Sequence, residues 1–400
     1  MRRAVLFLGC VTLVSCSPGL TSSPLPGGAA YETSAVFLAS NGYKVVFRFG
    51  GKASGVSPGA GLIDIKGTLY GTTSAGGANK HGTVFSLTTA GKEKVLHSFK
   101  GSSDGAAPGY GSLIEVGGTL YGTTQNGGDA KDNGTVFKIT TAGVERTLYR
   151  FKGGKDGANP IAALAAVNGK LYGTTQSGGS SGNGTVFSVT TSGAEKVLYS
   201  FKGGSDGANP TAGLTDVSGT LYGTTKNGGG GCSTGCGTVF SVSTNGTEDV
   251  LHAFQGSPDD GATPTGGLTD VKGALYGTTQ NAGKVHSNVP YGTAFKITTS
   301  GKETLLHTFI YRDGENPSYG NLTDVRGMLY GTTPNGGPNG FGVVFRISTS
   351  GAEKILYSFK GGKDGANPYA GPVAVSGKLY GITQAGGGPA SAGTAFSILP

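Results

Sequence analysis

Tryptophan is absent from the 400 residues, and only 14% are Asp, Glu, Lys or Arg. The first absence removes a side chain that commonly stacks on sugar faces, which weighs against a carbohydrate-only role. The second does not make the chain a disordered one, because β-branched and aromatic residues fall in short runs between glycines. Cysteine occurs only at Cys10, Cys16, Cys232 and Cys236. No Gly-x-Ser-x-Gly, His-Glu-x-x-His or phosphate-cradling loop is present, so those chemistries have no foothold. Clustered positive charge is missing too. The formal +8 includes Arg2 and Arg3, and the other cations are scattered along the chain. That distribution excludes a nucleic-acid footprint and suits solvated strand edges. The 78 glycines follow no Gly-X-Y period, which excludes collagen.

What is present is a repeat. The phrase Leu-Tyr-Gly-Thr-Thr places its tyrosine at Tyr70, Tyr121, Tyr172, Tyr222, Tyr276, Tyr330 and Tyr380, at steps of 50 to 54 residues, and only the last copy departs from it, with Ile382. Units of about 50 residues that cannot fold alone must stack into a single body. Within the third unit, Leu164–Val167 reads as a short strand and Asn168-Gly169 as a tight hairpin. Lys170–Thr175 and Thr185–Thr190 read as the second and third strands. A fourth strand has Val197, Tyr199 and Phe201 on one face and Leu198 and Ser200 on the other. Four-stranded sheets apolar on both faces can hide them only by packing face to face around an axis. The expected fold is therefore all-β, a seven-bladed β-propeller over residues 34–400, with an open β-solenoid as the alternative. The chain carries an extra third-and-fourth-strand phrase at its start (Ala35 to Phe49) and stops after a third strand at Pro400. The closing blade is thus expected to mix both ends, with 34–40 or 393–399 in third place.

The phrase Val167 to Tyr172 followed by Gly178-Gly179 resembles the kelch repeat, a four-stranded propeller blade. A closer resemblance is to the bacterial Gloeo-Verruco tandem repeat. It rests on Gly184 to Phe187, Leu198 to Phe201, Asp206 to Pro210 and Leu221 to Thr225, phrases that recur in order from about residue 34 to 400. The resemblance implies an exported protein with a surface anchor, and it implies no reaction.

The N-terminus agrees. Met1-Arg2-Arg3 precedes a mostly apolar stretch, Ala4 to Val14, too short to span a bilayer permanently and readable as an export signal over 1–15. It runs into Leu13-Val14-Ser15-Cys16, which resembles a lipobox with Cys16 as the lipidated residue; the alternative is an ordinary signal with a chance cysteine. Residues 16–33 form a tether, Ser17 is compatible with sorting to an outer membrane, and a monomer is expected. Cys232 and Cys236, four apart in one loop of an exported chain, read as a disulfide.

Four groups of residues invite a functional reading. Asp64, Glu115, Asp216, Asp270 and Asp324 recur in the first strand, and in a propeller they would line the channel. There they would hold a cation, share protons, or accept bonds from the neighbouring unit's backbone. Asp104, Asp156, Asp206, Asp260, Asp313 and Asp364 sit in Asp-Gly turns, where calcium is the one cofactor to consider and a local turn the plainer reading. His97, His252 and His307 share their slot with Phe47, Tyr149, Tyr199 and Tyr357, so it reads as a packing site for a flat ring, and no metal is expected there. Departures from the repeat mark candidate ligand loops: Cys232–Cys236, the enlarged loop with Lys284, His286 and Tyr291, and Tyr311-Arg312. These readings add up to a lipid-anchored binding or scaffold module for proteins or glycans. The alternatives are a polysaccharide hydrolase or lyase using the channel acids, and a purely structural surface protein.

Overall fold

The computed structural model describes residues 41–400, apart from 51–53, 109, 234, 284–290 and 318–319. The export signal, Cys16, the tether and the 34–40 strand lie outside the described residues, as do Lys284 and His286. Among the described residues, seven four-stranded antiparallel sheets form the blades of a seven-bladed propeller, and two two-stranded ribbons lie in the connecting loops. In blade 3 the strands are Ala165–Val167, Lys170–Thr175, Thr185–Thr190 and Glu195–Ser200, in that order from the axis outward. Blade 7 takes Val373–Val375, Lys378–Thr383 and Thr394–Ile398 from the C-terminal end. Its outer strand is Lys44–Arg48, pairing Val45 with Phe396. Third place in the closing blade therefore belongs to Thr394–Ile398.

Each residue of the recurring phrase has a separate job. Leu69 is fully buried against the blade before, while Tyr70 packs with Val84 and Phe99 against Leu113, Leu120 and Phe137 of the blade after. One such apolar cluster fills each of the seven blade interfaces. At the centre of each, two phenylalanines meet edge to face, as Phe201 and Phe240 do with centroids 5.1 Å apart. Pairs of this kind add about 0.5–1.5 kcal/mol beyond the area they bury. Gly223 lies opposite Phe240 in the ladder, and a Cβ there would stand 2.6 Å from the ring tip, so glycine makes room for the phenylalanine. The first threonine turns to the next blade: Thr224 Oγ1 donates to Gly266 O at 3.2 Å. The second pairs within its blade, Thr225 with Thr238 at 2.8 Å, and also donates to Asn227 O, so both hydroxyls of this copy are satisfied, whereas the buried Thr72 hydroxyl of the first copy has no hydrogen-bond partner among the described residues.

The fourth strand departs from the expected alternation. Val186 pairs with Tyr199 but Phe187 with Val197, a bulge that leaves Leu198 without an opposite residue. Leu198 and Tyr199 consequently both pack against the cluster shared with blade 4. The register shifts at the same place in all seven blades. The repeat thus encodes a bend in the outermost strand, which turns its ring residue toward the next blade's rim.

Candidate functional site

Three places present chemistry: the axis, one sector of the face that carries the long loops, and the outer rim. On the axis, the first-strand acids are exposed and occupied locally. The Asp64, Asp216, Asp270 and Asp324 carboxylates accept the N–H of their own hairpin glycines, Gly67, Gly219, Gly273 and Gly327, at 2.7–2.9 Å. Glu115 does the same with Gly118. The acid's partner is thus its own turn, and the bond to the neighbouring blade is made by the residue before it. Thr215 donates to Leu268 O and Thr269 to Leu322 O, each at 2.5 Å, and Thr323 donates to Pro372 O. At the loop end of the axis lies a cavity of about 300 Å³, lined by Tyr110, Ser112, Thr211, Asn321 and backbone of Gly320 and Gly371. The buried Thr211 hydroxyl has no hydrogen-bond partner among the described residues.

The loop-face departures from the repeat meet on a shared connector. Cys232 and Cys236 are disulfide-paired with Cα atoms 5.3 Å apart, and Cys236 O accepts the Thr263 N–H at 2.7 Å. From the other side, Gly261–Ala262 pairs with Asn281–Ala282, and Ser257 Oγ donates to Gly283 O at 3.3 Å. The cysteine loop and the described start of the enlarged loop therefore flank the 255–263 connector. One blade further on, Tyr291 O accepts the Asn316 N–H. Tyr311 is 52% exposed and Phe341 43%. Tyr311 O accepts the N–H of Gly337, in the loop that leads to Phe341, and Arg312 beside it is exposed.

On the outer rim, five of the seven blade interfaces gather a ring and an aspartate from one blade and a glutamate from the next. Tyr149 donates to Asp156 at 2.7 Å and Tyr199 to Asp206 at 2.6 Å; the other carboxylate oxygen accepts the Lys152 or Lys202 N–H. Glu195 and Glu248 complete these two interfaces from the following blades. Burial first, and the charge of Asp156 or Asp206 second, push each of these glutamates up to about 7. Burial, with the adjacent carboxylates, raises the Tyr149 and Tyr199 phenols well above their ordinary range. Where histidine holds the ring slot, its Nε2 faces the aspartate: His97–Asp104 at 3.0 Å, His252–Asp260 at 3.1 Å and His307–Asp313 at 3.2 Å. The imidazoles also pack edge-on against Phe99, Phe254 and Phe309, with centroids 4.8–4.9 Å apart. The slot is a packing site for a flat ring, and it is a polar site as well.

The family model of the Gloeobacter/Verrucomicrobia repeat matches residues 21–235 and 230–396. The chain belongs to the Gloeobacter/Verrucomicrobia repeat family. No curated protein matches the sequence. Among solved structures, "Structure of YjhT" is similar at 13% identity and a TM-score of 0.44, covering 77% of this chain and 99% of that one. The "Crystal structure of the tricorn protease" is similar at 10% identity and the same TM-score, covering 82% of this chain and 28% of that one. Likenesses of this size carry no argument about function.

Within this Gloeobacter/Verrucomicrobia repeat protein, the rim glutamates are what a reading of the sequence misses. Their signal is present: Glu93, Glu145, Glu195, Glu248, Glu303 and Glu353 each stand four residues before the ring position. In the closing blade Tyr43 fills that place, stacked on Tyr357 at 3.7 Å and donating to Asp364 O. A glutamate meets the ring and aspartate of the preceding unit, not of its own. That relation follows from the curvature of the ring and has no local mark.

Proposed function

We propose that this chain is a lipid-anchored cell-envelope propeller that serves as a binding or scaffold module for proteins or glycans. The observation that carries the reading is the gathering of departures from the repeat on one loop-face sector, with Tyr311 and Phe341 exposed there. Seven like units present seven like surfaces, and selective recognition needs a place where they differ. Loops held on a rigid scaffold supply it, and exposed aromatics give contact area at small conformational cost. The axial acids favour this reading over hydrolysis. A glycosidase needs a pair of carboxyls flanking one bond, whereas these stand one per blade with an oxygen bound to their own turns.

The anchor rests on Cys16 and the apolar stretch before it. Metabolic labelling with a palmitate analogue should mark the full chain and fail on Cys16→Ala; labelling of both chains alike would remove the anchor. For the binding role, the purified protein is screened by thermal shift against envelope polysaccharides and envelope proteins. A ligand that raises Tm should lose most of that effect with Tyr311→Ala and Phe341→Ala. No shift from any ligand would favour a purely structural protein. Turnover of a polysaccharide abolished by Asp216→Ala with Asp270→Ala, the fold intact, would favour the enzyme.

A further inference from the structure

The rim trios are seven versions of one arrangement, and their differences are chemical. Ring, aspartate and next-blade glutamate read Phe47–Ser54–Glu93 at the closing interface and Tyr357–Asp364 with Tyr43 at the interface before it. Two interfaces are Tyr–Asp–Glu and three are His–Asp–Glu. A protonated phenol can only donate to its aspartate and offers a cation little. A neutral imidazole offers a lone pair at the same point in space.

We propose that His252–Asp260–Glu303 and His307–Asp313–Glu353 are two binding sites for a borderline divalent cation of the zinc class, each stapling the outer strand of one blade to the next. Four features support the assignment. In each trio one nitrogen and two carboxylate oxygens lie within 4.8 Å of one another. The His–Asp contacts, at 3.1 and 3.2 Å, are close to the spacing of roughly 3.3–3.5 Å that two ligands adopt around a tetrahedral zinc. The charge balances, since two carboxylates and a neutral imidazole offset a doubly charged ion. Glu303 Oε1 and Glu353 Oε1 are buried with no hydrogen-bond partner among the described residues, a state that Glu93, Glu195 and Glu248 share at interfaces without histidine, so the imidazole is what sets these two sites apart. A buried acceptor left in that state costs stability, which a bound cation would restore.

The supporting groups suit the same assignment. Asp313 Oδ1 is fixed by the Ile310 N–H at 2.7 Å, leaving Oδ2 to the histidine. Asp260 is fixed by the N–H groups of Gly261 and Gln255, the latter on the oxygen that faces His252. Backbone donors of this kind orient a ligating carboxylate. Phe254 and Phe309 hold the imidazoles edge-on. An imidazole ligand favours zinc, nickel or cobalt over calcium and magnesium, which take oxygens. The third trio, His97–Asp104–Glu145, is a poorer site. Thr147 already donates to Glu145 at 3.4 Å, and Lys100 and Arg150 crowd it with positive charge.

The ring supplies its own control, because tyrosine occupies the histidine slot at Tyr149, Tyr199 and Tyr357. The full chain, stripped with a chelator and dialysed, is titrated with Zn²⁺ while Tm and stoichiometry are followed. The expected result is a Tm rise of several degrees, reversed by the chelator, with two tight sites per chain and little response to Ca²⁺. His252→Tyr with His307→Tyr should fold as the wild type does and lose the shift. Tyr199→His should add a third site. If the double tyrosine variant folds poorly, Glu303→Gln with Glu353→Gln, read by competition against a chromophoric chelator, tests the same trios. No Zn²⁺ response, an equal one in these variants, or an equal one to Ca²⁺ would overturn the proposal. An imidazole that serves only as a hydrogen-bond partner of its aspartate would give the first of these results.

Discussion

Two glycine-rich phrases show how single residues set this structure's tolerance to change. Gly223 stands against the Phe240 ring tip, so Gly223→Ala forces a 2.6 Å contact that neither partner can relieve without shifting the blade. We expect a loss of about 1–3 kcal/mol in urea denaturation, the usual cost of overpacking a filled core. The residue before the proline that leads into each first strand lies in the left-handed region, at φ between 53° and 60° for Ser57, Ala107, Asn159, Asn209, Thr263, Asn316 and Asn367. Asparagine suits that backbone and uses its side chain there: Asn159 Nδ2 donates to Gln125 O, and Asn209 Nδ2 to Gln176 O. Ala107 has the strain without the bond. Ala107→Asn should therefore raise stability by about 1 kcal/mol, read as an increase in Tm, through the better backbone fit and a new bond to Ser74 O. A decrease would show that the alanine slot is closed to a longer side chain.

At the scale of the element, the outer strand carries glutamates whose protons are held by burial. Glu195 and Glu248, at the tyrosine interfaces, are pushed up to about 7 by burial and by the aspartate beside each, against an ordinary value of 4.5. The folded chain thus holds these protons more tightly than the unfolded chain does. Their stabilising contribution is complete below pH 4.5 and is lost as pH rises to about 7 and beyond. Glu195→Gln with Glu248→Gln imitates the protonated form at every pH. It should leave Tm unchanged near pH 4.5 and raise it by a few degrees at pH 8. Equal Tm differences at both pH values would mean that packing, not proton binding, governs these positions. The strand pattern itself was readable, since the second and third strands of blade 3 fall at Lys170–Thr175 and Thr185–Thr190, as periodicity and turn residues required. The fourth strand was less so, because strict alternation passes over a bulge whose cause lies in the neighbouring blade.

For the whole molecule, closure is the event on which the rest depends. Lys44–Arg48 covers the edge of Thr394–Ile398, Phe49 meets Phe85 at 5.1 Å, and Tyr43 stacks on Tyr357. A chain beginning at residue 51 would leave that edge open and unpair both aromatic contacts. Exposed edges template association with other chains. Such a chain should melt lower than the parent and run as larger species in size-exclusion chromatography with light scattering. An unchanged Tm and a monomeric profile would show that the ring holds without its outer closing strand.

The sequence by itself determined the seven units, the order of strands within each, and the sharing of the last blade between both ends. These are written in short-range terms: period-two patterning, Asn-Gly turns and a phrase repeated at a steady interval. It also carried the ring slot shared by histidine, tyrosine and phenylalanine, and the acid in the first strand. Only the tertiary structure decided what those residues face. Asp216 turned out to bind its own hairpin while Thr215 reaches the next blade, and His252 and Asp260 meet a glutamate from the following unit. The physical reason is that blade-to-blade contacts are fixed by how twisted sheets nest around an axis, and that geometry brings together positions 43 to 53 residues apart with no local mark to pair them.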